Sequence, residues 1–271
     1  MENRKIAIVT GGASGIGHAL CKELVSQNVF VIITDINQVK GKQVEEELNK
    51  ESINARYQYL DVRDAESVES VITAIFKEFS RLDYLFNNAG IAMYGELYDM
   101  TFEDWRKVMD VNLWGVIHGT QIGYNIMKKQ GFGHIVNTAS AAGLGPSPVS
   151  SAYGTTKHAV VGLTTSLHYE AEEFGIKVSA LCPTFVDTPI FEEARAININ
   201  KAVIMEQFKK QKMMAPEKLA KITLDGIHKN KPIICPMPMR KTMDIFFTLV
   251  PSAHRGLMRI VCRVSRKARI S

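Results

Sequence analysis

The sequence of 271 residues lacks long apolar runs, paired cysteines and clustered metal ligands. It contains no stretch of 18 apolar residues, so it predicts no membrane-spanning helix. The first residues lead directly into a short apolar strand, and we therefore expect no signal peptide. No group of His and Cys residues has the spacing of metal ligands, so we expect no metal site. Together these absences predict a cytoplasmic protein.

Cysteine is scarce, and Cys21, Cys182, Cys235 and Cys262 form no C-x-x-C pair. This distribution predicts reduced thiols in a reducing compartment rather than a disulfide framework. A G-x-S-x-G motif is also missing, which argues against an enzyme that transfers acyl groups.

The composition is that of an ordinary globular protein, with 46% hydrophobic and 23% charged residues. A single α/β domain of this size is common, so we expect one domain over residues 1–239. The net charge of +5 comes from the remaining residues, 240–271, which contain eight Lys or Arg and one acid, Asp244. The body is therefore slightly acidic and its extension strongly basic.

Short apolar runs alternate with amphipathic segments over the first 235 residues. This alternation predicts an α/β fold, a single doubly wound parallel sheet of the Rossmann type with helices on both faces. The predicted strands are 5–9, 29–34, 57–60, 82–86, 134–138, 177–181 and 232–235. The main predicted helices are 39–50, 65–79, 102–129 and 153–174. Residues 184–215 interrupt the rhythm, and we interpret them as a cover over the substrate.

A glycine-rich segment, Thr10-Gly11-Gly12-Ala13-Ser14-Gly15-Ile16-Gly17, follows the first strand and opens a helix near Ile16. Glycine lets the backbone turn sharply and approach a pyrophosphate, and a helix N-terminus offers N–H groups to phosphates. Asp35, at the end of the second strand, has the position of a carboxylate that accepts hydrogen bonds from a ribose and repels a 2′-phosphate. The alternative is that Asp35 caps the next helix, a role for which Asn37 competes.

Tyr153 and Lys157 are four residues apart and share one face of a predicted helix. An ammonium near a phenol favours the phenolate, which makes the tyrosine a candidate acid and base. Ser140, on a nearby strand end, could steady the oxygen that exchanges this proton. Taken alone, the pair could also be part of a solvated helix face.

Together with Asn87-Asn88-Ala89-Gly90, these motifs occur in the order typical of one family. From about residue 5 to about residue 235, the sequence resembles the short-chain dehydrogenase/reductase family. The resemblance implies an NAD-dependent oxidoreductase that interconverts a secondary alcohol and a ketone, and a homodimer or homotetramer. It also implies a catalytic set of Asn112, Ser140, Tyr153 and Lys157.

The family pattern assigns roles within that set. Tyr153 is the general acid and base, and Lys157 lowers its pKa and holds the nicotinamide ribose. Ser140 fixes the substrate oxygen, and the side chain of Asn112 holds a water that links Lys157 to solvent.

The resemblance also implies a set of cofactor contacts, with Asp61 and Val62 beside the adenine. Ser14 and Ile36 occupy positions where NADP-preferring members usually have a basic residue, so NAD is the expected cofactor. Thr184 stands where the family often has glycine. The full predicted set is Gly11, Ser14, Gly15, Ile16, Gly17, Asp35, Asp61, Val62, Asn88, Ala89, Gly90, Tyr153, Lys157, Pro183, Val186 and Thr188.

Three apolar segments are expected to line the mouth above the nicotinamide. The predicted substrate residues are Ser140, Tyr153, Met93, Leu144 and Phe185, with Met205, Met213 and Met214 in the cover. Because these segments are nearly all apolar, we expect a lipophilic secondary alcohol or ketone.

The basic extension has an amphipathic pattern over residues 255–271, with basic residues on one arc of a helix and apolar residues on the other. Such a helix suits an anionic membrane surface, and the apolar residues 245–250 could add a shallow anchor. The alternatives are packing on the body or on a partner subunit, and a solvated tail. Nucleic acid is not expected, because no aromatic interleaving or known motif accompanies the charge.

Two further functions remain open at the level of sequence. One is a non-catalytic NAD-binding scaffold or redox sensor that is tethered by its basic tail. The other is epimerisation or dehydration by the same residues.

Overall fold

The computed structural model describes residues 4–209, 213–237 and 240–270. In these ranges the strands are β1 (Ile6–Thr10), β2 (Phe30–Asp35), β3 (Ala55–Tyr59), β4 (Tyr84–Asn87), β5 (Met93–Tyr94), β6 (Gly133–Thr138), β7 (Ile176–Leu181), β8 (Arg195–Ala196) and β9 (Ile233–Ile234). The α-helices are α1 (Gly15–Ser26), α2 (Gln38–Leu48), α3 (Ala65–Phe79), α4 (Phe102–Met109), α5 (Gly115–Gln130), α6 (Ser151–Glu170), α7 (Ile190–Glu193), α8 (Lys201–Lys209), α9 (Pro216–His228), α10 (Arg240–Leu249) and α11 (Pro251–Arg266).

Seven of the described strands form one sheet in the order β3-β2-β1-β4-β6-β7-β9, and every neighbouring pair is parallel. The predicted doubly wound sheet is therefore confirmed. The order reverses between β1 and β4, and a parallel sheet of this kind has a crevice at that point, at the carboxyl ends of its strands.

Helices cover both faces because successive residues of each strand point to opposite sides. In β1, Ala7 and Val9 pack on the side of α1 and α9, whereas Ile6 and Ile8 pack on the side of α3. Both sets are buried. The apolar runs that predicted the strands are thus apolar throughout because both faces are covered.

Most predicted elements lie within a few residues of the observed ones, with two differences in detail. The strand expected at 57–60 begins earlier and is β3, Ala55–Tyr59. The helix expected over 102–129 is interrupted by a π-helical turn at Asp110–Trp114, which separates α4 from α5. A π turn inside a helix often occurs at a functional position.

The C-terminal extension forms α10 and α11, and its end packs on the body of the protein. Ala268 is only 1% exposed and contacts Ile199 and Ile204. Ile199 and Arg269 form an antiparallel bridge. The structure therefore has the packed arrangement that was one alternative for the tail. No helix in the described part of the chain combines the length and apolar character needed to cross a membrane.

Candidate active site

A cavity of about 1020 Å³ opens at the carboxyl ends of the strands, where the strand order reverses. It extends from the glycine-rich loop after β1 to the N-terminal part of α6 and to the tail helix α11. The predicted cofactor residues that line it are Gly11, Ser14, Gly15, Ile16, Asp35, Asp61, Val62, Asn88, Ala89, Gly90, Tyr153, Lys157, Pro183, Val186 and Thr188. The cavity lining thus brings together residues that are up to 177 positions apart in sequence, from Gly11 to Thr188.

The glycine-rich loop requires glycine for two different reasons. Gly11 and Gly15 have φ of +63° and +51°, in the left-handed region that favours glycine. Gly17 is buried and does not line the cavity, in contrast to the prediction. A Cβ on Gly17 would lie 2.0 Å from the carbonyl oxygen of Gly11, so glycine lets α1 begin directly against the loop.

Thr10, which the sequence analysis did not select, joins this loop to the segment after β4. Its Oγ1 accepts hydrogen bonds from the backbone N–H groups of Asn88 (2.9 Å) and Ala89 (3.0 Å). The Asn88 amide in turn donates to the carbonyl oxygen of Thr10 (3.0 Å). Thr10 therefore holds the N-N-A-G segment in place by hydrogen bonds that the spacing of the two motifs in sequence does not reveal.

Asp35 lies at the cavity wall, and its carboxylate is held by backbone donors. Oδ2 accepts from the N–H of Ala13 (3.1 Å) and Oδ1 from the N–H of Asn37 (2.8 Å). Asn37 itself caps α2 by accepting from the N–H of Lys40 (3.0 Å). The helix cap is thus supplied by Asn37, and each Asp35 oxygen retains capacity to accept a further hydrogen bond from a ligand.

Asp61 forms a close ion pair with Arg63, a cavity residue that the sequence analysis missed. Arg63 Nη2 lies 2.6 Å from Asp61 Oδ2, and the hydrogen bonds from Arg63 lower the pKa of the Asp61 carboxyl. Lys40, another cation of this wall, pairs with Glu193 at 3.6 Å. The positive charges at this end of the cavity are therefore each matched by a carboxylate.

Tyr153, near the start of α6, and Ser140, directly after β6, meet at the other end of the cavity. Burial raises the pKa of the Tyr153 phenol, and a hydrogen bond with Ser140 offsets part of that rise. Ser140 Oγ also accepts from the N–H of Ala142 (3.1 Å), which fixes the orientation of its hydroxyl.

Lys157 is buried, and its Nζ donates to the carbonyl oxygen of Thr138 (2.8 Å). Nζ lies 5.6 Å from the centre of the Tyr153 ring. Burial lowers the pKa of Lys157 to about 8. The pKa of Tyr153 is raised because its desolvation outweighs the Ser140 hydrogen bond that favours the phenolate. The lowering of this pKa by Lys157 stays a prediction.

Asn112 lies in the π turn, is fully buried and does not line the cavity. Its Oδ1 accepts from the N–H of Ile91 (2.8 Å), and its Nδ2 donates to the carbonyl oxygen of Ile91 (2.9 Å). Both ends of the amide thus pair with the backbone of one residue, Ile91, in the segment after β4. The expected water held by this side chain stays a prediction.

Ser140, Tyr153 and Phe185 line the cavity as predicted, but Met93 and Leu144 do not. Met93 is buried with 2% exposure, while its neighbour Tyr94 lines the cavity, because adjacent strand residues face opposite sides. Leu144 packs on the core instead. The cover methionines Met205, Met213 and Met214 also lie outside the lining.

Comparison with known proteins agrees with this geometry. A family model for short chain dehydrogenases matches residues 5–198. The chain is 36% identical over 186 residues to a 3-alpha-(or 20-beta)-hydroxysteroid dehydrogenase of Mycobacterium bovis, with 69% of this chain and 70% of that protein covered. It is 32% identical over 214 residues to a D-beta-hydroxybutyrate dehydrogenase of Cupriavidus necator, with 78% and 82% covered.

A similar solved structure is that of a short chain dehydrogenase/reductase from Burkholderia phymatum in complex with NAD. It superposes with a TM-score of 0.82 at 28% identity and covers 89% of this chain and 91% of that one. With its family model, its relatives and its parallel sheet in agreement, the chain belongs to the short-chain dehydrogenase/reductase family of oxidoreductases.

Proposed function

We propose that the protein is an NAD-dependent dehydrogenase that interconverts a lipophilic secondary alcohol and its ketone. The observation that carries this proposal is the meeting of Tyr153, Ser140 and Lys157 at one end of a cavity whose other end is bounded by Asp35. The alcohol and the nucleotide would then occupy the two ends of one space.

A dinucleotide fits the first part of this cavity. A Cβ on Gly11 would lie 2.9 Å from the Cα of Ala89, so glycine lets the loop pack directly against the N-N-A-G segment at the cavity wall. The first turn of α1 contains no acidic residue, which leaves its N-terminal N–H groups and partial positive charge available to phosphate. Bound there, NAD would supply the acceptor for the hydride.

The chemistry left to the protein is a proton transfer. Tyr153 Oη would take the hydroxyl proton of the alcohol, and Ser140 Oγ would hold the same oxygen during the transfer. Tyr153 accepts this proton as the phenolate and becomes the neutral phenol, and Lys157, held on the Thr138 carbonyl, would place a positive charge beside the phenolate before the transfer. In ketone reduction the same proton moves from Tyr153 to the substrate.

The preference for NAD rests on charge at the adenosine end. A 2′-phosphate would face the Asp35 carboxylate, while the nearby cations Arg63 and Lys40 are paired with acids. The two ribose hydroxyls of NAD can donate to the same carboxylate instead.

The lipophilic substrate class rests on apolar side chains in the cavity lining, including Phe185, Ile190 and Phe191. The relatives include a hydroxysteroid dehydrogenase and a hydroxybutyrate dehydrogenase, and the alcohols in these two names differ greatly in size. The size and shape of the secondary alcohol are therefore set by the side chains that line the cavity of this protein.

Assembly as a homodimer or homotetramer stays a prediction. Light scattering measures it, and a monomer would contradict it.

The first test replaces Tyr153 by Phe, which keeps the ring and removes the proton carrier. We expect kcat to fall by about 10²- to 10⁴-fold with NAD and a panel of lipophilic secondary alcohols, followed by NADH fluorescence. The Kd of NADH should change by less than about threefold, since the glycine-rich loop is untouched. Tyr169→Phe, an exposed tyrosine of the same helix, is the control. Undiminished turnover in Tyr153→Phe would rule out the mechanism, and NADH binding without turnover by the wild type would favour a scaffold or sensor.

The second test addresses the cofactor through Asp35→Ala. The variant should bind NADH at least about tenfold more weakly, because hydrogen bonds to a charged group contribute about 1.5–3 kcal/mol each. NADPH, repelled by the wild type, should bind the variant as well as NADH does. Glu46→Ala removes an exposed acid from α2 and controls for net charge. Equal affinities of the wild type for the two nucleotides would contradict an NAD preference.

The third test concerns the buried Lys157, whose pKa in the folded protein is about 8 against about 10.5 for the free side chain. Between these values the unfolded chain binds more protons than the folded one, so the free energy of unfolding rises with pH. Relative to Lys157→Met, the cofactor-free wild type should gain up to about 3 kcal/mol from pH 8 to 10.5 in urea titrations. Lys42→Met removes an exposed lysine as the control. If the difference in free energy of unfolding between the wild type and Lys157→Met is constant with pH, the lowered pKa of Lys157 is contradicted.

We also propose that the tail docks on an anionic membrane surface. It carries exposed apolar side chains, among them Ile245 and Leu249 of α10 and Leu257 and Ile260 of α11, next to exposed arginines. The wild type should sediment with phosphatidylserine vesicles at low salt, and Leu257→Ser/Ile260→Ser should sediment less. Equal sedimentation of the two proteins would exclude this role for the tail.

A further inference from the structure

The end of the tail is attached to the body by backbone hydrogen bonds as well as by packing. The N–H of Asn200 donates to the carbonyl oxygen of Ala268 (2.7 Å), and the N–H of Ile270 donates to the carbonyl oxygen of Asn198 (3.0 Å). These bonds align the last residues with the segment before α8, which lies in the predicted substrate cover. The tail and the cover are therefore one connected structure.

Two arginines of the tail bind two acids of the body, and we call these four residues the clasp. Arg266 Nε lies 2.6 Å from Glu96 Oε1, and Arg269 lies 3.5 Å from Asp99 Oδ2. The acidic side chains are only 16% and 6% exposed. A poorly solvated carboxylate is costly without a partner, so the body favours the docked position of the tail.

The docked tail brings α11 to the cavity that Tyr153 lines. Val261 and Ser265, one helical turn apart, both line this cavity, as does Ile204 of the cover. Ser265 directly precedes Arg266, so the clasp holds the helix at the point where it meets the cavity. Tyr94 connects the two regions, because it packs on the Ile199 and Ala268 cluster and also lines the cavity.

We propose that α11 is a wall of the substrate site, with Val261 and Ser265 contacting the part of the substrate that is remote from the reacting carbon. The clasp residues Glu96, Asp99, Arg266 and Arg269 act as positioning residues for this wall. The inference rests on the proposed function, in that it assigns the Tyr153 end of the cavity to the substrate. It implies that selection by substrate length depends on the last residues of the chain.

The wall is tested by Val261→Trp, which fills space beside the cavity. In calorimetric titrations of the NAD-bound protein, which has no hydride to give to a ketone, 2-dodecanone should bind the variant at least about tenfold more weakly, and 2-butanone should bind within about threefold of wild type. Turnover of the matching alcohols should show the same split in kcat/KM. The Kd of NADH should not change. Unaltered 2-dodecanone affinity, or a wild type that does not bind this ketone, would overturn the inference.

The clasp is tested by exchanging its charges. Glu96→Arg and Arg266→Glu should each weaken 2-dodecanone binding by at least about fivefold and speed amide hydrogen exchange at 196–206 and 262–270. The double variant Glu96→Arg/Arg266→Glu should restore both in part, because position 96 also faces Arg269, whose Nη1 lies 3.7 Å from Glu96 Oε2 in the wild type. Arg263→Glu, an equal charge change at an exposed position of α11, should alter neither. Failure of the double variant to recover either property would contradict a positioning role.

The two proposals can fail separately in these experiments. Ketone binding that responds to Val261→Trp without any turnover by the wild type would uphold the wall and refute the dehydrogenase. Turnover that disappears in Tyr153→Phe but is unchanged in Val261→Trp would support the dehydrogenase and refute the wall.

Discussion

The site depends on a chain of hydrogen bonds that joins the carboxyl ends of three strands. Asn88 donates to the Thr10 carbonyl, Thr138 Oγ1 donates to Asn88 Oδ1 (3.3 Å), and Lys157 donates to the Thr138 carbonyl. The glycine-rich loop, the N-N-A-G segment and helix α6 are thereby connected through mostly buried groups. Because buried polar groups are costly when unpaired, these loops hold one another in place. The position of the proton carrier Tyr153 relative to the nucleotide loop follows from this network.

Burial is the dominant electrostatic influence at the reacting end. It disfavours the phenolate of Tyr153 and the ammonium of Lys157 together. At neutral pH Tyr153 is therefore the neutral phenol, whereas Lys157, with a pKa of about 8, remains mostly an ammonium. A positively charged nicotinamide ring would add a second charge that favours the phenolate. Ser140 is the residue that already favours the ionised phenol in this structure.

The doubly wound parallel sheet and the cavity-lining motifs could be predicted because each depends on local patterns: apolar strands, a glycine-rich loop, and a helical i, i+4 pair. The errors occurred where long-range pairing decides which way a side chain faces. Met93, a predicted substrate residue, is buried while its neighbour Tyr94 lines the cavity, in a strand, β5, that pairs with β8 about a hundred residues away. The docking of the tail likewise depends on a partner distant in sequence, Glu96.

The position of Val261 and Ser265 has a consequence for biosynthesis. The nucleotide loop and Tyr153 emerge from the ribosome well before Val261 and Ser265, which line the same cavity. A nascent chain that does not yet include α11 would hold the glycine-rich loop and Tyr153 beside a cavity with one side open to water. The cavity therefore becomes enclosed only after α11 has been made and has docked on the body.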